Sequence, residues 1–231
     1  MSQFAPEDTA RHYENAHLRI VELVRSLSEG QAATPVPAAP GWDVHDVLAH
    51  LAANTTDGIA GRINGIPDDE FTCEQVRQRK AASIEELVSE WQGNMPTMLD
   101  AARAGLAPPP LAADALTHEQ DMRGALGMDQ VDDRAAVRFS LELFALGLRF
   151  KLRDAEDVGL RLEATDSDFT AVAGKGEPVT TLRASEFELF RTLSGRRGRA
   201  AVLAMDWDGD PTPFLPSLNN FGALPDYEVT D

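Results

Sequence analysis

Apolar positions recur at spacings of three and four residues along the first two thirds of the chain, and at a spacing of two along the last third. Ala10, Ala16, Ile20, Val21, Leu23, Val24 and Leu27 share a face of a helix predicted from Glu7 to Leu27, with Gly30 as its stop. The TPVPAAPGW stretch that follows is too rich in proline to be helical and is predicted to be an ordered loop. Asp43, with Asp46 three residues later, resembles a capping box that opens a helix through Val44, Val47, Leu48 and Leu51 to about Ile63. A weaker helical segment covers Glu70 to Ala81. Ser83 with Glu86 starts another helix through Leu87, Trp91, Met95 and Leu99, with Pro96 as a candidate kink. After Pro108 to Pro110, the run LAADALTHEQDMRGALG reads as a helix stopped by Gly127. Val137, Leu141, Phe144, Leu148 and Leu152 extend a last long helix from Asp132 to about Arg153. Helices joined by short loops predict a bundle of four or five.

Around Ala155 to Gly159 the period changes. LRLEATD and FTAVAG alternate apolar and polar positions as half-buried strands do, and VTTLRA is a third strand. Ser185 with Glu188 caps a short helix through Phe187, Leu189, Phe190 and Leu193, and AAVLAMDW is predicted as a fourth strand. The predicted fold class is therefore α+β, with a helical bundle over residues 1–154 and a small α+β domain over 155–231.

Composition narrows what such a protein does. Of 231 residues, 21 are basic and 38 acidic, and the net charge of −17 is spread along the whole chain. No basic patch exists to bind phosphates, which excludes nucleic acid as a partner. The N-terminal MSQFAPEDTARHYENAH lacks a basic region followed by an apolar one, and no stretch approaches the ~18 apolar residues of a membrane span. A cytoplasmic protein without membrane association is expected. Cys73 is the single cysteine, so an internal disulfide and a thiolate metal cluster are excluded. Its neighbours Thr72 and Glu74 supply no activating positive charge, so any thiol chemistry needs a thiol from outside. A homodimer is compatible with an acidic bundle, although no exposed apolar stripe is legible.

The candidate chemistry lies on two helices. The helix from Asp43 puts Val47, His50, Leu51 and Asn54 on one face, and the later helix puts Leu111, Asp114, Ala115, His118 and Met122 on another. Imidazoles and carboxylates on inward faces cost several kcal/mol each unless paired, and a shared cation offsets that cost. Asp114 and His118, one turn apart, can converge on one ion, and His50 adds a second imidazole. Three protein ligands leave a position open, as in a catalytic site. Zinc fits this set best, while nickel and iron(II) remain open; with iron(II) the same ligands would form a mononuclear iron site. The competing reading is a hydrogen-bonded core histidine beside an intrahelical Asp–His pair.

Three stretches carry a resemblance: GWDVHDVLAHLA at Gly41 to Ala52, DALTHEQDMRGALG at Asp114 to Gly127, and VTTLRASEFELFRTLSGRR at Val179 to Arg197. Together they resemble the mycothiol-dependent maleylpyruvate isomerase family, a branch of the DinB-like metal-binding helical bundles found mainly in actinobacteria. The resemblance implies a divalent metal held by His50, Asp114 and His118, with Asp114 standing where glutamate is expected in the isomerases. It brings in Asp121, which could orient the His118 ring, and Arg123 as a candidate for the reaction itself. It implies a sterol-carrier-like C-terminal domain and mycothiol as cosubstrate, whose metal-activated thiol attacks an electrophilic small molecule. The outcome is then cis–trans isomerisation or S-transfer. The rival from another class is a non-enzymatic, metal-containing carrier of small molecules.

Other motifs are read as structural. DWDGD at Asp206 to Asp210 lacks the glycine and glutamate of a calcium loop, with Pro211 and Ser217 at those positions. GKG at Gly174 to Gly176 reads as a hairpin turn. GRRGR at Gly195 to Arg199 reads as a cationic cap on a helix end, with an anion contact as the alternative. His12, His17 and His45 are expected to be surface histidines away from the site, with His45 pointing away from His50.

Overall fold

The computed structural model describes residues 4–63, 65–153, 159–175 and 177–229. The chain divides into two compact units that part between Val131 and Asp132. The boundary expected between residues 154 and 155 lies outside the described residues.

The first unit is built from α1 (Pro6–Arg25), α2 (Glu29–Ala32), α3 (Val44–Ile59), α4 (Asp69–Arg79), α5 (Ile84–Arg103) and α6 (Pro110–Ala125). Local chemistry fixes the helix starts. The Asp43 carboxylate accepts from Asp46 N–H while the Asp46 side chain reaches back to Asp43 N–H, and Ser83 with Glu86 repeats the arrangement on α5. The first helix ends at Arg25, short of the expected Leu27. Gly30 lies inside α2, a single turn capped by Ser28 and Gln31, so it does not act as the stop. The following proline-rich loop is ordered by Val36 N–H to Trp42 O and Val44 N–H to Thr34 O. Pro96 lies within α5, which continues past it to Arg103.

Helices α1, α3, α5 and α6 pack around one core, with α4 laid against α3. Trp91 at its centre is fully buried and donates Nε1–H to the Tyr13 hydroxyl at 2.8 Å. Burial holds the Tyr13 hydroxyl well above its usual pKa despite that hydrogen bond, and the Asp114 charge adds to the rise. Tyr13 is thus a neutral phenol.

The second unit begins with α7 (Arg134–Leu152), the helix that the sequence pattern assigns to the bundle. It continues through β1 (Gly159–Ala164), β2 (Thr170–Gly174), β3 (Thr180–Ala184), α8 (Glu186–Leu193), α9 (Arg199–Leu203), β4 (Asp206–Asp208) and α10 (Leu215–Leu218). Helix α7 packs on α8 and β2, so its apolar face serves this unit's core. The sheet order is β2-β1-β3-β4, with β1 and β3 parallel and the outer pairs antiparallel. Leu160, Leu162 and Leu182 are buried, while the cross-strand neighbours Glu163 and Arg183 form a 2.9 Å ion pair. The predicted strand AAVLAMDW is a correction. Its first part is α9, a run of good helix formers that buries Val202 on one side, and only Asp206–Asp208 joins the sheet. The GKG stretch is not the hairpin turn expected of it, because it leaves β2 while the next strand, β3, pairs with β1 on that strand's other side; Gly176 itself lies outside the described residues.

Gly147 on α7 lies against Asn220, whose amide donates to Phe144 O at 3.1 Å and Leu193 O at 3.0 Å. A Cβ at 147 would stand 2.1 Å from Asn220 Oδ1. Gly147→Ala should therefore displace Asn220 and destabilise the protein by about 1–2 kcal/mol, the overpacking and lost hydrogen bonds exceeding the helix-propensity gain of about 1 kcal/mol. A urea-denaturation midpoint lowered in the variant is the expected result; an unchanged or raised midpoint would contradict it.

Candidate metal centre

Helices α3 and α6 pack together and bring His50, Asp114 and His118 to one place, with a ligand atom of each within 4.8 Å of the others. His50 Nε2 lies 3.9 Å from one Asp114 carboxylate oxygen, and His118 Nε2 lies 3.5 Å from the other. The two imidazoles meet edge to face with centroids 5.2 Å apart, and Trp42 flanks His50 at 5.2 Å. Both histidines are buried and Asp114 is half-buried.

The far side of each ring is held as well. His118 Nδ1 is 3.1 Å from Asp121 Oδ2, on a carboxylate that is itself buried. Asp121 is thus held against the His118 ring inside the bundle and is not a solvated surface carboxylate. His50 Nδ1 is 3.0 Å from Gln75 Oε1, contributed by α4. A carboxylate and an amide oxygen only accept, so both rings carry their proton on Nδ1 and turn the Nε2 lone pair inward. Two inward lone pairs and a carboxylate form a donor set that fits a divalent cation. Asn54, one turn after His50, places its Nδ2 3.1 Å from His50 Nε2 and 3.2 Å from Asp114 Oδ2.

Arg123 is directed elsewhere. Its Nε donates to Glu119 Oε1 at 3.1 Å, and Arg19 of α1 binds the same fully buried carboxylate with Nε at 2.9 Å and Nη2 at 2.8 Å. This ionic cluster sits next to His118 in sequence and fixes α6 against α1. A second grouping of Asp43, His45 and Asp46 is already engaged. Lys80 binds both Asp46 oxygens at 2.7 and 2.9 Å, and His45 Nε2 contacts Ala82 O at 2.7 Å.

The family model described as the mycothiol maleylpyruvate isomerase N-terminal domain matches residues 13–137, more than half of the 231. The chain belongs to the mycothiol maleylpyruvate isomerase family. The crystal structure of the mycothiol-dependent maleylpyruvate isomerase superposes with a TM-score of 0.55 at 13% identity, covering 85% of this chain and 92% of that one. A histidine-to-alanine mutant of that isomerase superposes with a TM-score of 0.54 at 12% identity, covering 84% and 92%. These likenesses support the fold. No curated protein matches the chain. No helix among the described residues is long and apolar enough to cross a membrane.

Sequence reasoning missed Gln75 and Asp57, which hydrogen-bond to each other at 2.6 Å. Asp57 was legible, because it follows His50 and Asn54 at the i, i+4, i+7 positions of one helical face. Gln75 lies on the weakly patterned α4 and carried no signal. In the second unit, Arg196 donates to Ser194 O at 2.7 Å and so caps the C-terminal end of α8, whereas Arg197 forms a two-pronged pair at 2.7 Å with Glu188 in the first turn of that helix.

Of the three histidines expected on the surface of this maleylpyruvate isomerase family member, His12 and His17 are buried instead and His45 is half-buried. His12 and His17 fall inside because α1 is covered by both α5 and α6, a wider arc than a single apolar stripe. The His17 ring meets Trp91 edge-on at 4.8 Å, and its Nε2 has no hydrogen-bond partner among the described residues. Burial, aided by Arg25, lowers its pKa to about 4. The fold thus favours neutral His17: that stability is complete above the unfolded value of about 6.5 and is lost as pH falls from there towards 4. His17→Leu should flatten the loss of stability between pH 6.5 and 4, read from urea midpoints against pH. An equally steep decline in the variant would show that His17 is not a source of the acid sensitivity.

Proposed function

We propose that this protein is a metal-dependent enzyme that uses the thiol of mycothiol to transform an electrophilic small molecule, by isomerisation or S-transfer. The observation that carries the reading is the convergence of the His50 Nε2, His118 Nε2 and Asp114 carboxylate atoms, with each ring's proton held on its far side. Zinc suits these ligands best, and nickel or iron(II) would also be accommodated. The shorter Asp114 serves as the carboxylate where the family resemblance leads one to expect glutamate.

A divalent ion bound by these residues would lower the pKa of a coordinated thiol enough to make it a thiolate at neutral pH. The chain's own groups supply the rest. Asp121 holds the His118 ring in the ligating tautomer, Gln75 does so for His50, and Glu119 with its two arginines keeps α6 in place. Asn54 presents a hydrogen-bond donor beside His50 and Asp114, suited to an anionic sulfur or carboxylate. Cys73 is exposed and free and takes no part. In isomerisation, mycothiol thiolate adds to one carbon of a conjugated cis double bond, the resulting single bond rotates, and the thiolate leaves as the trans double bond forms. In S-transfer the new C–S bond is retained and the adjacent carbon, carrying the displaced electron pair, takes up a proton from solvent.

The test is turnover of maleylpyruvate and of a panel of conjugated electrophiles, with and without mycothiol, by the metal-supplemented protein. Thiol-dependent turnover that falls to background in His118→Ala and by about 10–100-fold in Asp121→Asn is expected. Mycothiol recovered unchanged identifies an isomerase, and mycothiol consumed one for one identifies a transferase. Turnover independent of thiol, or unaffected by His118→Ala, would overturn the proposal.

A further inference from the structure

A chain of polar groups leads from His50 to Arg62, and chemistry fixes the direction of every hydrogen bond along it. Arg62 donates through Nε at 2.7 Å to the buried Asp57 carboxylate, with a second contact from Nη2. Asp57 Oδ2 lies 2.6 Å from Gln75 Nε2. An ion-paired carboxylate offers only lone pairs, so Gln75 must turn its NH2 towards Asp57. Gln75 Oε1 is then left facing His50 Nδ1 at 3.0 Å, and that nitrogen must carry the ring proton. The other Gln75 N–H reaches Asn54 Oδ1 at 3.2 Å, which turns the Asn54 NH2 towards the acceptors His50 Nε2 and Asp114 Oδ2. Turning Gln75 over would set its oxygen against the Asp57 carboxylate and an N–H against the protonated His50 Nδ1. Each such mismatch of buried groups costs about 1–3 kcal/mol.

We propose that Asp57, acting through Gln75, is a positioning residue that sets the tautomer of His50 and keeps its Nε2 lone pair aimed at Asp114 and His118. Asp57 does not contact the convergent atoms itself. It supplies the acceptor end from which the polarity of the whole relay follows, and Arg62 donates to that end. The consequence for metal binding rests on the reading of His50 as a ligand, whereas the tautomer is a property of the protein alone.

Two readouts keep these apart. Long-range 1H–15N spectra of the imidazoles in the full-length protein without added metal report the tautomer, and cobalt(II) titration followed by visible absorption reports affinity. Wild type should show His50 protonated at Nδ1. Asp57→Asn, which preserves shape but frees the amides to turn over, should shift His50 towards the Nε2–H form and weaken cobalt binding by about 10–100-fold. Gln75→Met should do the same while leaving the Asp57–Arg62 pair intact, which covers the case in which Asp57→Asn fails to fold. The double variant Asp57→Asn/Gln75→Glu should restore the Nδ1–H form, since the introduced carboxylate accepts from His50 and from the introduced amide. Single variants that leave both the tautomer and the affinity unchanged would overturn the proposal, as would a wild-type His50 protonated at Nε2. If the tautomers behave as expected but wild type binds no cobalt, the relay stands and the metal reading falls.

Discussion

The arrangement on which the rest of the bundle turns is the enclosure of two imidazole lone pairs and a carboxylate facing one another at the α3–α6 contact. All three are acceptors, and acceptors brought together are unfavourable unless a donor, water or a cation stands between them; the Asn54 NH2 meets His50 Nε2 and Asp114 Oδ2, and the half-buried Asp114 keeps contact with solvent. The chain nevertheless commits further groups to keeping them there. Asp121 and Gln75 take the Nδ1 protons that would otherwise let either ring turn its N–H inward. These hydrogen bonds fix the orientation of the rings, which is what a polar cluster of this kind specifies and a leucine core would not.

Holding that geometry requires the helices to keep their rotation and register, and the ionic pairs around the site do this. Glu119 is buried between Arg19 and Arg123 and locks the turn that carries His118. Lys80 ties the end of α4 to the capping carboxylate Asp46 at the start of α3, and Arg79 ties the same end to Glu90 on α5, with Nε 2.9 Å from Oε2. Helix α4 buries little of its own surface, yet it delivers Gln75 to His50, and these two pairs explain how it can do so. Pairs of this kind, most with one partner in reach of solvent, add little net stability and chiefly fix orientation.

Much of this was legible in the sequence, because helical periodicity maps directly onto side-chain neighbours. Asp114, His118 and Asp121 lie on one helix at spacings of four and three, and His50 lies on the apolar face of another, so convergence needed only that the two faces meet. The capping boxes at Asp43 and Ser83 marked helix starts to the residue. Contributions that depend on packing between elements were harder to read. The pattern of α7 says only that one face is apolar, and does not say whether the bundle or the sheet covers it. The burial of His12 and His17 follows from α1 being enclosed from two sides, a property of its neighbours. Gln75 has no periodic partner at all. The run AAVLAMDW misled because a short amphipathic helix and the start of a strand both place Val202 inward.

Whether His50, Asp114 and His118 hold a metal ion is read from elemental analysis of the purified protein beside His50→Ala and His118→Ala variants shown to be folded by circular dichroism. Close to one divalent ion per chain is expected in the native protein, and its loss from both variants. Equal absence of metal from all three after supplementation would contradict this and leave the histidines as hydrogen-bonded residues of the core.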